Sequence, residues 1–275
     1  MLELDWLGAL RRAVDAMARL FADEPTIAGR TVFEGVGEGG DHSLALDRRC
    51  EDIVFAELER LHAETGTGFV AISEERGEVA FGDPASSPRV VIDPIDGSLN
   101  TRRAIPAFAL SVAVASGPSM ADVELGYVYD FGADEEFVAR RGQGAEVNGR
   151  ELVATGPGHG LEVVGLESAD PAKIAPIVGA LVDRVYRIRV IGSIAITLSY
   201  VGGGRLDGML SARCRSVDAA AAQLIAREAG AQVAFGELPL DAVSLSLDAR
   251  YPLAGALDAE MLSTLLEAQA QTSEA

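Results

Sequence analysis

The sequence predicts an α/β protein in two halves, an α+β half followed by an α/β half, and three observations predict it. Two early segments, residues 4–22 and about 45–63, place apolar side chains at spacings of three and four, as one face of a helix requires. A run of short, β-rich segments separated by turn residues follows, up to about residue 150. From about 161 onward, strand-like and helix-like segments alternate. The glycine-rich stretch "TGPGHG" (155–160) is the expected joint, giving halves of 1–155 and 156–275.

Taken in order, Leu7, Leu10, Val14, Met17 and Leu20 define the first helix, which Pro25 ends. The five glycines of residues 29–42 read as a flexible loop or loose hairpin. In the second helix Ile53, Val54, Leu58 and Leu61 share a face, with Asp47 near the first turn. The segments "GFVAIS", "RVVID" and "AFALSVAVAS" read as strands, and "VELGYVYDF" with "EEFVARRGQGAEVNG" as antiparallel strands joined by turns. In the second half, "LEVVGLE", "VYRIRV", "LDGML" and "AQVAF" read as strands, and residues 171–183, 192–203 and 217–229 as helices.

With 42 acidic against 23 basic residues the formal charge is −19, which argues against a nucleic-acid partner, since a phosphate backbone needs clustered cations. Lys173 is the single lysine; the other basic residues are arginines. An acidic protein with an anionic ligand needs local positive charge from a metal, arginines or helix N-termini. The longest apolar run, 104–115, is broken by Pro106 and Ser111 and is too short for the roughly 18 residues of a membrane span. The N-terminus lacks the basic-then-apolar pattern of a secretory signal, so a cytoplasmic location is expected. Cys50 and Cys214, with His42, His62 and His159, show neither disulfide-framework nor zinc-site spacing.

Acidic residues fall at the ends of elements. Glu74 and Glu75 follow the strand "FVAIS", Asp93 and Asp96 close "RVVI", Asp218 opens the helix "DAAAAQLIAREAG", and Asp47 begins the second helix. Alone, each reads as a turn, a cap or a surface charge. Together they form an oxygen-rich set suited to magnesium, which takes a few carboxylates plus water and substrate phosphate. Two carboxylates three apart, with the Ile95 carbonyl between them, can reach two cations about 4 Å apart. The amides of Gly97 and Ser98, opening a helix, would face a phosphate. A glycosidase would need only two carboxylates and gives no role to Gly97-Ser98; a kinase is disfavoured because no phosphate-loop motif occurs.

These motifs, in this order, resemble the inositol monophosphatase family of magnesium-dependent, lithium-sensitive sugar phosphatases. "ISEERG" is similar to its first acidic motif, "IDPIDGSLN" to its central one, "RSVDAAAAQLIAREAG" to its C-terminal one, and "VIGSIAITLSYVGGGRLDGML" to its glycine–Ser/Thr helix and following strand. The resemblance runs from about residue 4 to 240 and implies a layered αβαβα fold and a homodimer. It implies that Glu74, Asp93 and the Ile95 carbonyl hold one magnesium, and Asp93, Asp96 and Asp218 a second, with a third ion as an alternative; a register shift of one would put Glu75 in place of Glu74. Glu74, Asp47 and Ser98 would be catalytic, Asp47 working with the Ser98 hydroxyl. Gly97, Ser98, Gly192, Ser193, Arg213 and Arg215 would contact phosphate or substrate. Val217 precedes Asp218 where animal members have tryptophan, and Ser211 stands where those members place an inositol-contacting glutamate. "SARCRSVDAA" is more similar to archaeal and bacterial branches. The implied substrate is inositol monophosphate or a related small phosphate ester, with fructose 1,6-bisphosphate, 3′-phosphoadenosine phosphate or histidinol phosphate as alternatives. An inactive member acting as a binding protein is the non-enzymatic one.

Overall fold

A computed structural model of the chain describes residues 4–31, 33–36, 42–83, 88–167 and 170–270. Helix α1 (Trp6–Asp23) buries Leu10, Val14, Met17 and Leu20 of the predicted face while Leu7 stays half-buried, and Asp5 caps it by accepting from the Gly8 amide. The single turn α2 (Ile27–Arg30) and the hairpin of β1 (Phe33–Val36) and β2 (His42–Leu44) fall where a loop or hairpin was expected; residues 32 and 37–41 of that stretch lie outside the described residues. Helix α3 (Ala45–Thr65) follows.

Strands β3 (Phe69–Ser73), β4 (Gly77–Phe81) and β5 (Arg89–Asp96) lead into the short helix α4 (Ser98–Arg102). Strands β6 (Ala109–Ala115), β7 (Val123–Asp130), β8 (Glu135–Arg140), β9 (Ala145–Val147) and β10 (Arg150–Leu152) complete an eight-stranded sheet of order β10-β9-β8-β7-β6-β5-β3-β4. Its pairs are antiparallel except β3–β5.

The second half contributes β11 (Val163–Leu166), α5 (Pro171–Ala180), β12 (Arg187–Arg189), α6 (Ile194–Gly202), β13 (Gly208–Arg215), α7 (Ser216–Glu228), β14 (Gln232–Ala234), β15 (Arg250–Ala256) and α8 (Ala259–Ala270). Its five-stranded sheet has the order β12-β11-β13-β15-β14. The β11 pairings are parallel, as alternation predicts, but β15 enters antiparallel between β13 and β14. Strand β13 also runs past the expected "LDGML" to Arg215, which carries Arg213 and Arg215 on a strand rather than a loop.

Three apolar cores separate five layers. One packs α1 and α3 on the eight-stranded sheet, one places α6 and α7 between the two sheets, and one packs α5 and α8 on the outer face of the five-stranded sheet. This is the αβαβα layering. The four consecutive alanines 219–222 let α7 lie close against the first sheet: a Cβ on Gly126 of β7 would stand 2.5 Å from the Ala221 carbonyl. Close packing of α7 fixes where Asp218, in its first turn, meets the end of β5.

Candidate active site

Strand β5 is buried through its last seven positions, so Asp93 and Asp96 are delivered on a rigid support, 3 % and 8 % exposed. Asp93 accepts from the Ile95 amide at 3.0 Å, which folds the strand end into a turn. Gly97 then adopts φ 99°, and a Cβ there would approach the Ala107 carbonyl to 2.8 Å, so glycine is required on both counts. The Ser98 hydroxyl donates to the Ile95 carbonyl at 2.9 Å. That carbonyl keeps a second lone pair.

Asp47 on α3 faces the same region, and its Oδ1 is buried without a hydrogen-bond partner, as is Oε2 of Glu75 on the β3–β4 turn. The anticipated Asp47–Ser98 pairing is not formed, because the Ser98 hydroxyl is turned to Ile95. Glu74, beside Glu75 on that turn, forms an ion pair with Arg215.

The carboxyls load one another. Burial, then the Asp96 and Asp218 charges, holds Asp93 well above the usual carboxylate range. Burial and Asp218 push Asp96 up to about 8, against hydrogen bonds from Ser193 and Ala195. Burial raises Asp218 to about 6, opposed first by Arg215. Burial and Glu75 raise Asp47 to about 7. Carboxyls gathered from α3, β5 and α7 under such repulsion are a poor arrangement for a bare protein and a good one around a hard cation.

Among the described residues, no three acidic, histidine or cysteine side chains form a closed metal cage. The donor set nonetheless fits a divalent metal. All of it is oxygen, two buried oxygens of neighbouring carboxyls, Asp47 Oδ1 and Glu75 Oε2, lack partners, and an arginine occupies Glu74 in the place of a metal cation.

The phosphate- and substrate-contact expectations divide. Ser193 is buried; its hydroxyl donates to Asp96 at 2.7 Å and accepts from the Ile196 amide, and the Ala195 amide also donates to Asp96. The Gly192 amide donates to Glu167 at 2.9 Å. Gly192 and Arg213 line a cavity of ≈ 630 Å³ that reaches Asp96 and is walled by Leu99, Asn100, Lys173, Ile174 and Ser211. Arg215 does not line it; its side chain is turned to Glu74.

Two features escape the sequence reading. Glu167, directly after β11, is 5 % exposed and accepts from the Ile191 and Gly192 amides and the Thr197 hydroxyl, so one carboxylate sets the loop into α6. The rule that singled out Glu74 and Asp93, an acid at a strand end, would have found it in "LEVVGLE". Asn100 donates to the Ile191 carbonyl at 2.8 Å and so ties α4 to that same loop. The site therefore spans both sheets.

The sequence profile of the inositol monophosphatase family matches residues 7–272. The chain belongs to the inositol monophosphatase family. It is 32% identical over 273 residues to a fructose-1,6-bisphosphatase/inositol-1-monophosphatase of Thermococcus kodakarensis, covering 97% of this chain and 98% of that one. It is 33% identical over 236 residues to an inositol-1-monophosphatase of Mesorhizobium japonicum, covering 79% and 85%. The extragenic suppressor protein suhB from Bartonella henselae superimposes with a TM-score of 0.77 at 26% identity, covering 96% and 97%. The fold is that of the inositol monophosphatases, and the protein is a phosphoric monoester hydrolase of this family. The family is metal-dependent. No helix among the described residues is long and apolar enough to cross a membrane.

Proposed function

We propose that this inositol monophosphatase family member hydrolyses a small phosphate monoester by direct water attack at the carboxylate cluster, with magnesium as its cofactor. The observation that supports this most is the crowded carboxyl cluster of Asp93, Asp96 and Asp218, beside a cavity of substrate size that Asp96 lines. Glu74, Asp93 and the Ile95 carbonyl would hold one ion, and Asp93, Asp96 and Asp218 another. When bound, such ions would polarise the phosphoryl oxygens and lower the pKa of a bound water.

The protein's own groups do the rest. Asp47, with an unpartnered Oδ1, accepts the proton of the attacking water. Ser98 orients the Ile95 carbonyl, and the first-turn amides of α4 donate to phosphoryl oxygens as charge builds. Residues 1–155 supply most cation ligands; residues 156–275 supply Asp218 and the pocket wall that selects the leaving alcohol. A homodimer, as the family resemblance implies, belongs to the same proposal.

Inositol monophosphate is the first substrate to try. Fructose 1,6-bisphosphate is the second reading. Lys173, the single lysine, and Arg213 both line the cavity and offer charge for a second anionic group. Lys173 is already near Asp170, at 3.8 Å. Phosphate release from inositol 1-phosphate, fructose 1,6-bisphosphate, 3′-phosphoadenosine phosphate and histidinol phosphate, with magnesium or with EDTA, tests the proposal. Magnesium-dependent release that Asp93→Asn abolishes is expected; release that survives EDTA or Asp93→Asn contradicts it.

A further inference from the structure

Glu74 has a partner before any cation arrives. Its Oε1 meets Nη1 of Arg215, and the pair is largely shielded, the two side chains being 19 % and 14 % exposed. Arg215 is the last residue of β13 and caps α7, three positions before Asp218. It is also the charge that most opposes the upward push on Asp218, to which its backbone amide is hydrogen-bonded. One arginine from the five-stranded sheet thus neutralises two acids of the candidate site, one of them on the turn between β3 and β4 of the other sheet.

A guanidinium is a permanent, planar cation with several donors, and a carboxylate oxygen engaged by it in a shielded place is lost to other ligands. A metal ion that takes the same Oε1 of Glu74 must first break that pair. The apparent affinity is then the intrinsic affinity reduced by the fraction of molecules in which Glu74 is free. Neighbouring arginines differ. Arg250 faces Arg215 across the β13–β15 pair and acts on Asp218 by charge, but it donates to the Leu247 and Ala249 carbonyls and makes no ion pair with Glu74. Arg213 lines the cavity.

We propose that Arg215 is a resident counter-cation that competes with the first metal ion for Glu74, keeping the empty site charge-balanced and setting the metal concentration at which the site fills. The proposal rests on the reading of Glu74 as a cation ligand.

Calorimetric titration of EDTA-stripped protein with Mn²⁺ tests it. Arg215→Met should bind Mn²⁺ at least about ten-fold tighter, the equivalent of one charge-assisted hydrogen bond no longer broken on binding. Without metal, Arg215→Met should also melt at a lower temperature than wild type, and saturating Mn²⁺ should close that gap. Arg215→Lys, which keeps the charge but not the planar fork, should fall between the two and carries the test if Arg215→Met does not fold. Unchanged or weaker binding in the Arg215 variants overturns the proposal. So does equal tightening in Arg250→Met, since that variant removes the same charge near Asp218 without touching Glu74. Glu74→Gln separates the two layers: if it binds Mn²⁺ as wild type does, the ligand reading of Glu74 is wrong and the competition falls with it. If Glu74→Gln loses affinity while Arg215→Met stays at wild type, only the role of Arg215 fails.

Discussion

The carboxylates that anchor loops of the five-stranded sheet and those gathered around the end of β5 are treated in opposite ways. On the five-stranded side Glu167 is satisfied by two backbone amides and a threonine hydroxyl, and Asp207 accepts from the Val163 amide at 2.7 Å. Each carboxylate there holds a loop in one shape. Around the end of β5, Asp47 and Glu75 keep oxygens without partners, and Asp93 is raised by burial and then by the Asp96 and Asp218 charges. Asp96 stands between the two styles, in the repelling cluster and yet bonded to Ser193 and Ala195. A buried acid with its hydrogen bonds filled is structure; one left unfilled, among others of its kind, marks a place where a cation belongs. The same residue type divides by how completely its lone pairs are used.

Changing an acid in each region should break this comparison cleanly if it is wrong. Asp218→Asn should cut magnesium-dependent phosphate release by more than about 100-fold, exceeding the usual loss from a group one layer further from a metal. Its melting temperature without metal should stay level or rise, because the charge that repels Asp93 and Asp96 has gone. Glu167→Gln should do the reverse. It turns an amide NH₂ toward a backbone donor and should cost about 1–3 kcal/mol of stability, read by denaturant unfolding, while Mn²⁺ affinity stays near wild type.

The pH dependence sharpens the same contrast. For a carboxyl raised in the folded state, the native form holds its proton more tightly than the unfolded chain, so stability is greatest below the unfolded value and is lost as pH rises toward the folded one. Asp218, Asp47 and Asp96, at about 6, 7 and 8, place that loss between about pH 4 and 8. The metal-free melting temperature should fall by several degrees across this range, and saturating magnesium should flatten the slope. The smallest effect is expected at Leu99, exposed on the cavity wall: Leu99→Ala should move stability by less than about 0.5 kcal/mol and show itself in KM alone.

Much of this was legible in the sequence where local and global signals agree. Helices α1 and α3 show their buried faces in the spacing of three and four, and "DPIDGS" reads correctly as a strand end turning into a helix, because Gly97 and the following amides have one sterically sensible use. Strand β15 was not legible. "RYPLAGA" contains Pro252 and Gly255, both poor strand residues. Pro252 is tolerated because it falls at the irregular step of the β13–β15 register, between Leu253↔Ser211 and Tyr251↔Cys214, where the regular ladder lapses. Gly255 admits α6, since a Cβ there would lie 2.7 Å from Leu198 Cδ1. Strand β4 is short and opens on Gly77 at φ 69°, so "ERGEV" looks like a turn alone. The Glu74–Arg215 pair joins residues from different sheets, and no local pattern encodes such a meeting.

The central claim is that the crowded, buried carboxyls at the end of β5 hold the metal. Calorimetric titration with magnesium near pH 7, in buffers of different ionisation enthalpy, tests it most directly in wild type and Asp93→Asn. Wild type should bind magnesium and release protons as it does so, because Asp96, pushed up to about 8, holds a proton near pH 7 without metal, and Asp93→Asn should lose most of that affinity. Equal binding by the two proteins, or binding by wild type without proton release, would contradict the account.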